Sequence, residues 1–311
     1  MVSASERARG TCHGFAIHST LDFAYLRSGS GDRLAVSESA DNEAATIQAS
    51  AGPVIASWAA SSATPWAGRL HALEDGYALW TEDQGWYAIH PATGSITVPP
   101  GVDPIVREER LWGVPMMLCL IARGDLPLHA AAVEVDGRAA VIAAPSMGGK
   151  TTLAAEFVRA GYRLLSEDVT CVRPRPTPSV LPGPAMLRIR PDARDRSRLA
   201  GATVVAHGER THLALDVATR GNSDPVPIAA VLVLRQHPDG PRVERRKTLA
   251  AIPDLWSLTS RIPTSDGRAQ CFSALVDAVR DVPIWDLHRP VPTTDPSNVV
   301  DLVVRTIERP G

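Results

Sequence analysis

Residues 144–152 have the residue types and spacing of a phosphate-binding loop, whose pattern is G-x-x-x-x-G-K-[ST]. Gly149, Lys150 and Thr151 fill the last three positions, and Ala144 stands where the first glycine is expected. Alanine is tolerated there when its φ is negative, because only a positive φ strongly demands glycine. In such loops the lysine reaches the outer phosphates of a nucleotide and the hydroxyl holds Mg²⁺. The segment therefore predicts that the protein binds ATP and Mg²⁺.

The flanking sequence predicts the elements that position this loop. Residues 138–144 are almost wholly apolar and predict a strand, and residues 152–160 predict a helix that ends at Gly161. Between a strand and a helix, the backbone N–H groups of the loop and the helix N-terminus can surround phosphate oxygens. The residues expected to contact the nucleotide are Ser146, Met147, Gly148, Gly149, Lys150, Thr151 and Thr152.

Two adjacent carboxylates follow the predicted helix. Glu167 and Asp168 stand in the middle of a predicted strand, so their side chains are expected on opposite faces. Phosphoryl transfer needs one carboxylate to hold Mg²⁺ and another group to orient the attacking hydroxyl. We expect Thr151 and Asp168 to be the metal ligands, and either acid can be the catalytic base. The alternative is a pair of acids that face solvent at the end of a strand.

A histidine and two arginines are weaker candidates. His129 lies on a strand expected to pair with the loop strand, and an isolated histidine in apolar company is more often a hydrogen-bonded core residue. Arg188 and Arg190 alternate as in a strand and carry the guanidinium group that clamps phosphate or carboxylate. We expect these two arginines to bind substrate, the alternative being a surface face of salt bridges.

The chain divides into two predicted domains. Residues 1–104 are β-rich, with short strands and Asp-Gly turns that predict an antiparallel meander between residues 69 and 98. Residues 105–311 carry the loop and begin with a helix that Gly113 and Pro115 are expected to break. A proline-rich connection, an apolar strand at 228–234 and a helix at 297–307 follow. We expect the β-rich domain to recognise an acceptor or to contact another subunit.

Composition excludes several classes of protein. The 311 residues are 44% hydrophobic with a net charge of −2, so nothing in the overall charge attracts nucleic acid or an anionic membrane. The longest apolar run, 111–122, is too short to cross a bilayer. Four widely spaced cysteines and the absence of a signal sequence predict free thiols in the cytoplasm.

Three segments together resemble the HPr kinase/phosphorylase family: His129-Ala-Ala-Ala-Val, the loop through Lys150-Thr-Thr-Leu-Ala, and residues 160–168 with the sequence Ala-Gly-Tyr-Arg-Leu-Leu-Ser-Glu-Asp. The variant pattern is similar to the HPr-kinase-like kinases of peptide natural-product pathways, including lasso-peptide precursor kinases. The resemblance implies an α/β fold, with a C-terminal P-loop kinase core of HPr kinase/PEP carboxykinase type and a β-rich N-terminal domain. It also implies a Mg²⁺-dependent phosphotransferase that acts on a serine hydroxyl of a peptide or protein, and it gives His129 a catalytic-site role.

The chain departs from the family in ways that keep alternatives open. Glu167 stands where the family has Asp, and residues 181–192 replace its Glu-Ile-Arg-Gly-Leu-Gly motif, which argues against the bifunctional HPr enzyme itself. The alternatives are a small-molecule kinase acting on an amino acid or sugar, and a non-catalytic nucleotide-binding regulatory protein, which Ala144 and Glu167 favour. The sequence leaves open the acceptor, the choice of ATP or GTP, and a homo-oligomeric state.

Overall fold

The computed structural model describes residues 7–40, 42–61, 66–190, 199–207, 210–216, 220–290 and 296–308. They form a mixed α/β protein with two large sheets and one small sheet, which confirms the expected fold class at that level. No helix among these residues is long and apolar enough to span a membrane. All four cysteines are buried free thiols, as predicted.

The first sheet is built from the N-terminal third of the chain, in the strand order β1-β2-β3-β8-β7-β6-β5-β4. Its strands are β1 (Arg7–Cys12), β2 (Phe15–Ser19), β3 (Asp32–Glu38), β4 (Val54–Trp58), β5 (Gly68–Leu73), β6 (Gly76–Thr81), β7 (Gly85–His90) and β8 (Ser95–Val98). Strands β5 to β8 form the predicted antiparallel meander. Helix α1 (Glu43–Ser50) and the parallel pairing of β3 with β2 and β8 were not predicted from the sequence. Parallel strands are joined by long crossover connections rather than by a hairpin turn, so no turn motif in the sequence predicts their pairing.

Two short helices connect this sheet to the rest of the chain. Helix α2 (Pro104–Leu111) is capped by the Asp103 side chain, and α3 (Val114–Ala122) follows Gly113, so the predicted break is confirmed. Side chains of α3 share one buried cluster with the first sheet and with strands that come later in the chain. Because that core crosses residue 104, the proposed domain boundary there stays a prediction.

The second sheet contains the loop strand. Its members are β9 (Leu126–Val135), β10 (Arg138–Ala143), β11 (Arg163–Ser166), β12 (Val169–Arg173), β13 (Ser179–Leu181), β17 (Val226–Gln236), β18 (Arg242–Arg246) and β19 (Ile284–Arg289). Strand β10 pairs antiparallel with β9 through the predicted turn at Asp136 and Gly137, and it pairs parallel with β17. Because β17 also pairs parallel with β19, the carboxyl ends of β10, β17 and β19 lie at one edge of the sheet.

Helices cover both faces of this sheet, and β10 shows why. Ala140 and Ile142 belong to the cluster formed with α4 (Lys150–Arg159) and α7 (Pro296–Glu308), whereas Val141 and Ala143 belong to the cluster with α5 (Thr248–Ser257) and α6 (Ser265–Val279). A strand buried on both faces is continuously apolar, as residues 139–144 are. The remaining strands, β14 (Met186–Ile189), β15 (Ala202–His207) and β16 (Thr211–Leu215), form a small sheet.

Candidate active site

The candidate phosphate loop joins β10 to α4. Gly149 has φ +85° and Met147 has φ +64°, so both adopt the left-handed conformation that favours glycine. Ala144 is buried and has no positive φ, which is the condition under which alanine is tolerated there. The first N–H groups of α4 have no acceptor within the helix, and they lie beside this loop. The strand, loop and helix therefore have a backbone arrangement that can bind an anion.

The Lys150 side chain folds back onto the loop. Its Nζ donates to the carbonyl oxygens of Ala144 at 2.8 Å and Pro145 at 3.1 Å, and it lies 2.9 Å from His129 Nε2. The residue is only 5% exposed, and burial lowers the pKa of the ammonium group, partly offset by Asp168 and Glu167. An anion near the loop would stabilise this desolvated cation.

The two acids do not lie within a strand. Glu167 and Asp168 occupy a bend between β11 and β12, because the pairing with β9 is interrupted between Ser166 and Val169. The expectation that the carboxylates face opposite sides of a strand was therefore wrong. Both instead bind Arg188: Glu167 Oε2 lies 3.1 Å from Nε, and Asp168 Oδ2 lies 2.6 Å from Nη2.

The remaining carboxylate oxygens have different partners. The Thr151 hydroxyl donates to Glu167 Oε1, and His129 Nδ1 lies 3.1 Å from Asp168 Oδ1. Because the Lys150 ammonium group can only donate, His129 Nε2 must accept and Nδ1–H must donate to Asp168. The structure thus brings His129, Lys150, Thr151 and both acids into one hydrogen-bonded network.

Arg188 holds this network together from β14. Burial disfavours its charge, but the carboxylates of Glu167, Asp168 and Glu109 outweigh that effect and raise the pKa of the guanidinium group. In the other direction, burial favours the neutral form of Asp168, yet Arg188 and His129 hold the pKa of this carboxyl well below its ordinary value. Asp168 is therefore ionised at neutral pH.

The second predicted substrate-binding arginine is placed differently. Arg190 is half-buried one residue beyond the end of β14, and it forms no hydrogen bond or ion pair with the acids or the loop in the described part of the chain. The arginines that follow in the sequence, at positions 194, 196 and 198, lie outside the described residues. Arg188 thus orders the acids, and Arg190 is not part of the network.

A small cavity of about 40 Å³ opens beside the acids. Its lining includes Asp168, Arg188, Trp112 of the α2–α3 junction, and His13 from the turn between β1 and β2. His13 is fully buried with φ +51°, its Nδ1 lies 3.3 Å from the Leu181 carbonyl oxygen, and burial lowers the pKa of its imidazole to about 4. The first sheet therefore supplies a neutral histidine to the wall of the site.

Sequence reasoning missed Arg289. This arginine ends β19 at the same sheet edge as the loop, is 6% exposed, and donates from Nη2 to the Gly148 carbonyl oxygen at 2.8 Å. A Cβ atom added to Gly149 would lie 1.9 Å from that nitrogen. Burial lowers the pKa of the guanidinium group. An arginine shortly after Ile284, Trp285 and Leu287 was the available signal, but the strand itself was not identified from the sequence.

The donor set suits Mg²⁺ with a nucleotide. Thr151 and Glu167 offer hydroxyl and carboxylate oxygens, and in the described ranges no group of three or more histidine, cysteine or acidic side chains could hold a metal ion by itself. Mg²⁺ is usually held by one or two carboxylates together with substrate phosphates rather than by an all-protein cage. The buried cations Lys150 and Arg289 would provide complementary charge for such phosphates.

Comparison with known proteins adds little. No family model matches the chain, and no curated protein matches it. Among solved structures, it is similar to an HPr(Ser) kinase/phosphatase from Coxiella burnetii at 12% identity, with a TM-score of 0.33, covering 58% of this chain and 89% of that one. The functional case for the site therefore comes from its own residues.

Proposed function

We propose that the protein is a Mg²⁺-dependent kinase that transfers the γ-phosphate of ATP to a serine hydroxyl on a peptide or protein, with a ribosomal precursor peptide as the first candidate. The observation that carries the proposal is that buried cationic side chains and acidic side chains lie close together at the loop. The buried cations Lys150 and Arg289 flank the loop, and the acids Glu167 and Asp168 lie beside it.

The nucleotide phosphates would lie against the loop, at the N-terminus of α4. Lys150 would leave the Ala144 and Pro145 carbonyls for a phosphate oxygen, because a buried ammonium group gains more from an anion than from neutral carbonyl oxygens. Arg289, on the other side of Gly149, would contribute a second cation. Orientation and charge neutralisation of this kind supply most of the catalysis in phosphoryl transfer.

Mg²⁺ would be held by Thr151 and Glu167. The sequence predicted Thr151 with Asp168, but the Thr151 hydroxyl contacts Glu167, so we assign the metal to that pair of residues. The bound ion neutralises charge that develops on the transferred phosphoryl group and the departing ADP. Arg188 fixes the Glu167 carboxylate from the opposite side.

Asp168 would be the base. Its carboxylate is ionised and is oriented by His129 and Arg188, in the manner of an aspartate that accepts the proton of an attacking hydroxyl. In the transfer step the acceptor oxygen forms a bond to the γ-phosphorus, and the bond from that phosphorus to the bridging oxygen of ADP breaks. The hydroxyl proton passes to Asp168.

The size of the cavity favours a side-chain hydroxyl as acceptor. The space of about 40 Å³ beside Asp168 is small, which supports a side-chain hydroxyl group as the part of the acceptor that enters it. Because His13 lines it, the first sheet would help to recognise the acceptor.

A second candidate function is a nucleotide-binding regulatory protein without transfer activity. The contacts of Lys150 with two loop carbonyls and His129 favour it, because they keep the ammonium group away from a phosphate. In that case ATP would bind and no acceptor would be phosphorylated.

The test is to incubate the protein with Mg²⁺, ATP and a panel of serine-bearing peptides, and to follow intact peptide mass. We expect a gain of one phosphate on a peptide, its loss in Lys150→Ala, and weaker ATP binding in Arg289→Ala. Arg305→Ala, an exposed arginine on α7, is the matched control. ATP binding without phosphate gain on any peptide would instead support the regulatory candidate.

A further inference from the structure

A second, larger cleft lies at the far end of β12, away from the phosphate loop. Its volume is about 490 Å³, within the range of roughly 300–1,000 Å³ that is common for ligand sites. The walls come from the end of α3, the proline-rich segment after β12, and α6. The lining residues are Arg123, Gly124, Asp125, Arg173, Pro174, Arg175, Gln270, Ser273, Ala274 and Asp277.

Buried carboxylates orient the arginines of this cleft. The Asp125 side chain is 3% exposed and binds two guanidinium groups: Arg123 Nη2 at 2.5 Å and Arg173 Nε at 3.1 Å. Asp277, 13% exposed, binds Arg175 Nη2 at 2.6 Å and Arg280 Nη2 at 2.9 Å. A carboxylate that is shared by two arginines cannot satisfy all their donors, since each guanidinium group carries five N–H groups.

Two arginines of the cleft are more exposed to solvent than the carboxylates they bind. Arg173 and Arg175 have side-chain exposures of 35% and 73%, so their charges reach solvent at the cleft whereas the acids lie beneath them. The third lining arginine, Arg123, is 15% exposed and also binds Asp32 at 3.4 Å, so its charge is used within the protein. The cationic surface of the cleft is therefore that of Arg173 and Arg175, whose guanidinium groups can bind carboxylates in a forked geometry.

The cleft is connected to the candidate active site by one strand. Asp168 precedes β12 and Arg173 ends it, so five residues of extended chain, about 17 Å, separate the base from the cleft. An extended peptide covers the same distance with about five residues.

We propose that this cleft binds a short acidic segment of a peptide, and that in the acceptor this segment lies about five residues from the phosphorylated serine. The assignment to the acceptor rests on the proposed kinase function, whereas peptide binding does not. The proline-rich segment 174–178, which no other part of the site uses, forms one rim of the cleft.

The chain offers a matched pair of variants. Arg175 and Arg280 bind the same carboxylate of Asp277 and are both mostly exposed, but only Arg175 lines the cleft. Binding of a fluorescently labelled tetra-aspartate peptide would be measured without nucleotide, at low ionic strength. We expect Arg175→Glu to raise the dissociation constant about tenfold, because like charges oppose each other at the contact, and Arg280→Glu to change it less than about twofold.

Three outcomes would overturn the proposal. Equal weakening of peptide binding by both variants would indicate a general electrostatic effect, and displacement of the peptide by an equimolar amount of inorganic pyrophosphate would indicate a small-anion site. The third outcome is the absence of saturable peptide binding.

A kinase assay then tests the link to the acceptor. Arg175→Glu should raise KM for a serine peptide with acidic residues five positions away and leave kcat unchanged. Peptide binding without any kinase activity would support the cleft as a peptide-binding site and would rule out only its assignment to a kinase acceptor.

Discussion

Arg188 determines how the two carboxylates of the candidate site can act. A single guanidinium group binds one oxygen of Glu167 and one oxygen of Asp168, which leaves one oxygen of each acid for another partner. Thr151 contacts the free oxygen of Glu167, and His129 contacts that of Asp168. The proposed division of metal binding and base function between two adjacent acids thus rests on one arginine from a different sheet.

Replacing Asp168 by Asn tests this division. We expect phosphate transfer to fall by about 10²–10⁴, the usual contribution of a positioned base, because an amide cannot accept the proton. ATP affinity should change little, since the proposed metal ligands are Thr151 and Glu167. Transfer rates and ATP binding would be measured in parallel, with Asp239→Asn, an exposed acid, as control. An unchanged transfer rate would exclude Asp168 as the base.

Helix α4 depends on two glycines with the same backbone conformation and different surroundings. Gly149 at its start has φ +85°, and Gly161 after its end has φ +90°. Beside Gly149 lies the guanidinium group of Arg289, whereas a Cβ atom at Gly161 would meet nothing within 4 Å. The space beside Gly161 at the end of the helix is therefore open, whereas the space beside Gly149 at its start is filled by a buried cation.

Alanine at each glycine separates backbone strain from site geometry. Both Gly149→Ala and Gly161→Ala should cost stability by about 1–2 kcal/mol, the usual cost of a left-handed alanine. Only Gly149→Ala should also weaken ATP binding, because its new methyl group displaces Arg289. Denaturation and nucleotide titration of the two variants provide the comparison, and equal ATP affinities would contradict a role for Arg289 at the phosphate loop.

At the scale of the whole molecule, hydrogen bonds from arginine side chains connect the first sheet to the segments around the candidate site. Arg27 donates to the carbonyl oxygens of Gly183 at 2.7 Å and Leu164 at 2.8 Å, and Arg123 donates to that of His13 at 2.6 Å. Leu164 belongs to β11, directly before the bend that carries the acids. The position of the sheet and that of the acids are therefore coupled.

His13 makes this junction sensitive to pH. Burial lowers the pKa of its imidazole from 6.5 to about 4, so the unfolded chain binds the proton more tightly. The stability due to neutral His13 is full above pH 6.5 and is lost as the pH falls toward 4. Between pH 7.5 and 5.0 we expect a loss of about 2 kcal/mol from this residue.

Urea denaturation of the protein and of His13→Gln at both pH values measures that loss. The difference in unfolding free energy between pH 7.5 and 5.0 should be about 2 kcal/mol smaller in the variant, whatever its absolute stability. The same pH dependence in both proteins would show that His13 does not remain neutral in the folded state.

The sequence alone determined the features that depend on neighbouring residues. The loop with its strand and helix, the turn at Asp136 and Gly137, and the break before α3 all follow from local patterns, and the structure has each of them. Helix α5 was missed because it has no capping side chain and contains Pro253, whereas α6 was missed although the Thr264 side chain caps its start.

Only the tertiary structure decided how the chemical groups are combined. The bend at Glu167 and Asp168 depends on where pairing with β9 is interrupted, and Arg188 reaches them from another sheet. Arg289 adjoins the loop because parallel pairing of β10, β17 and β19 aligns their carboxyl ends. These contacts join residues between 20 and more than 100 positions apart, so no local periodicity encodes them, and only the packed sheets bring their charges together.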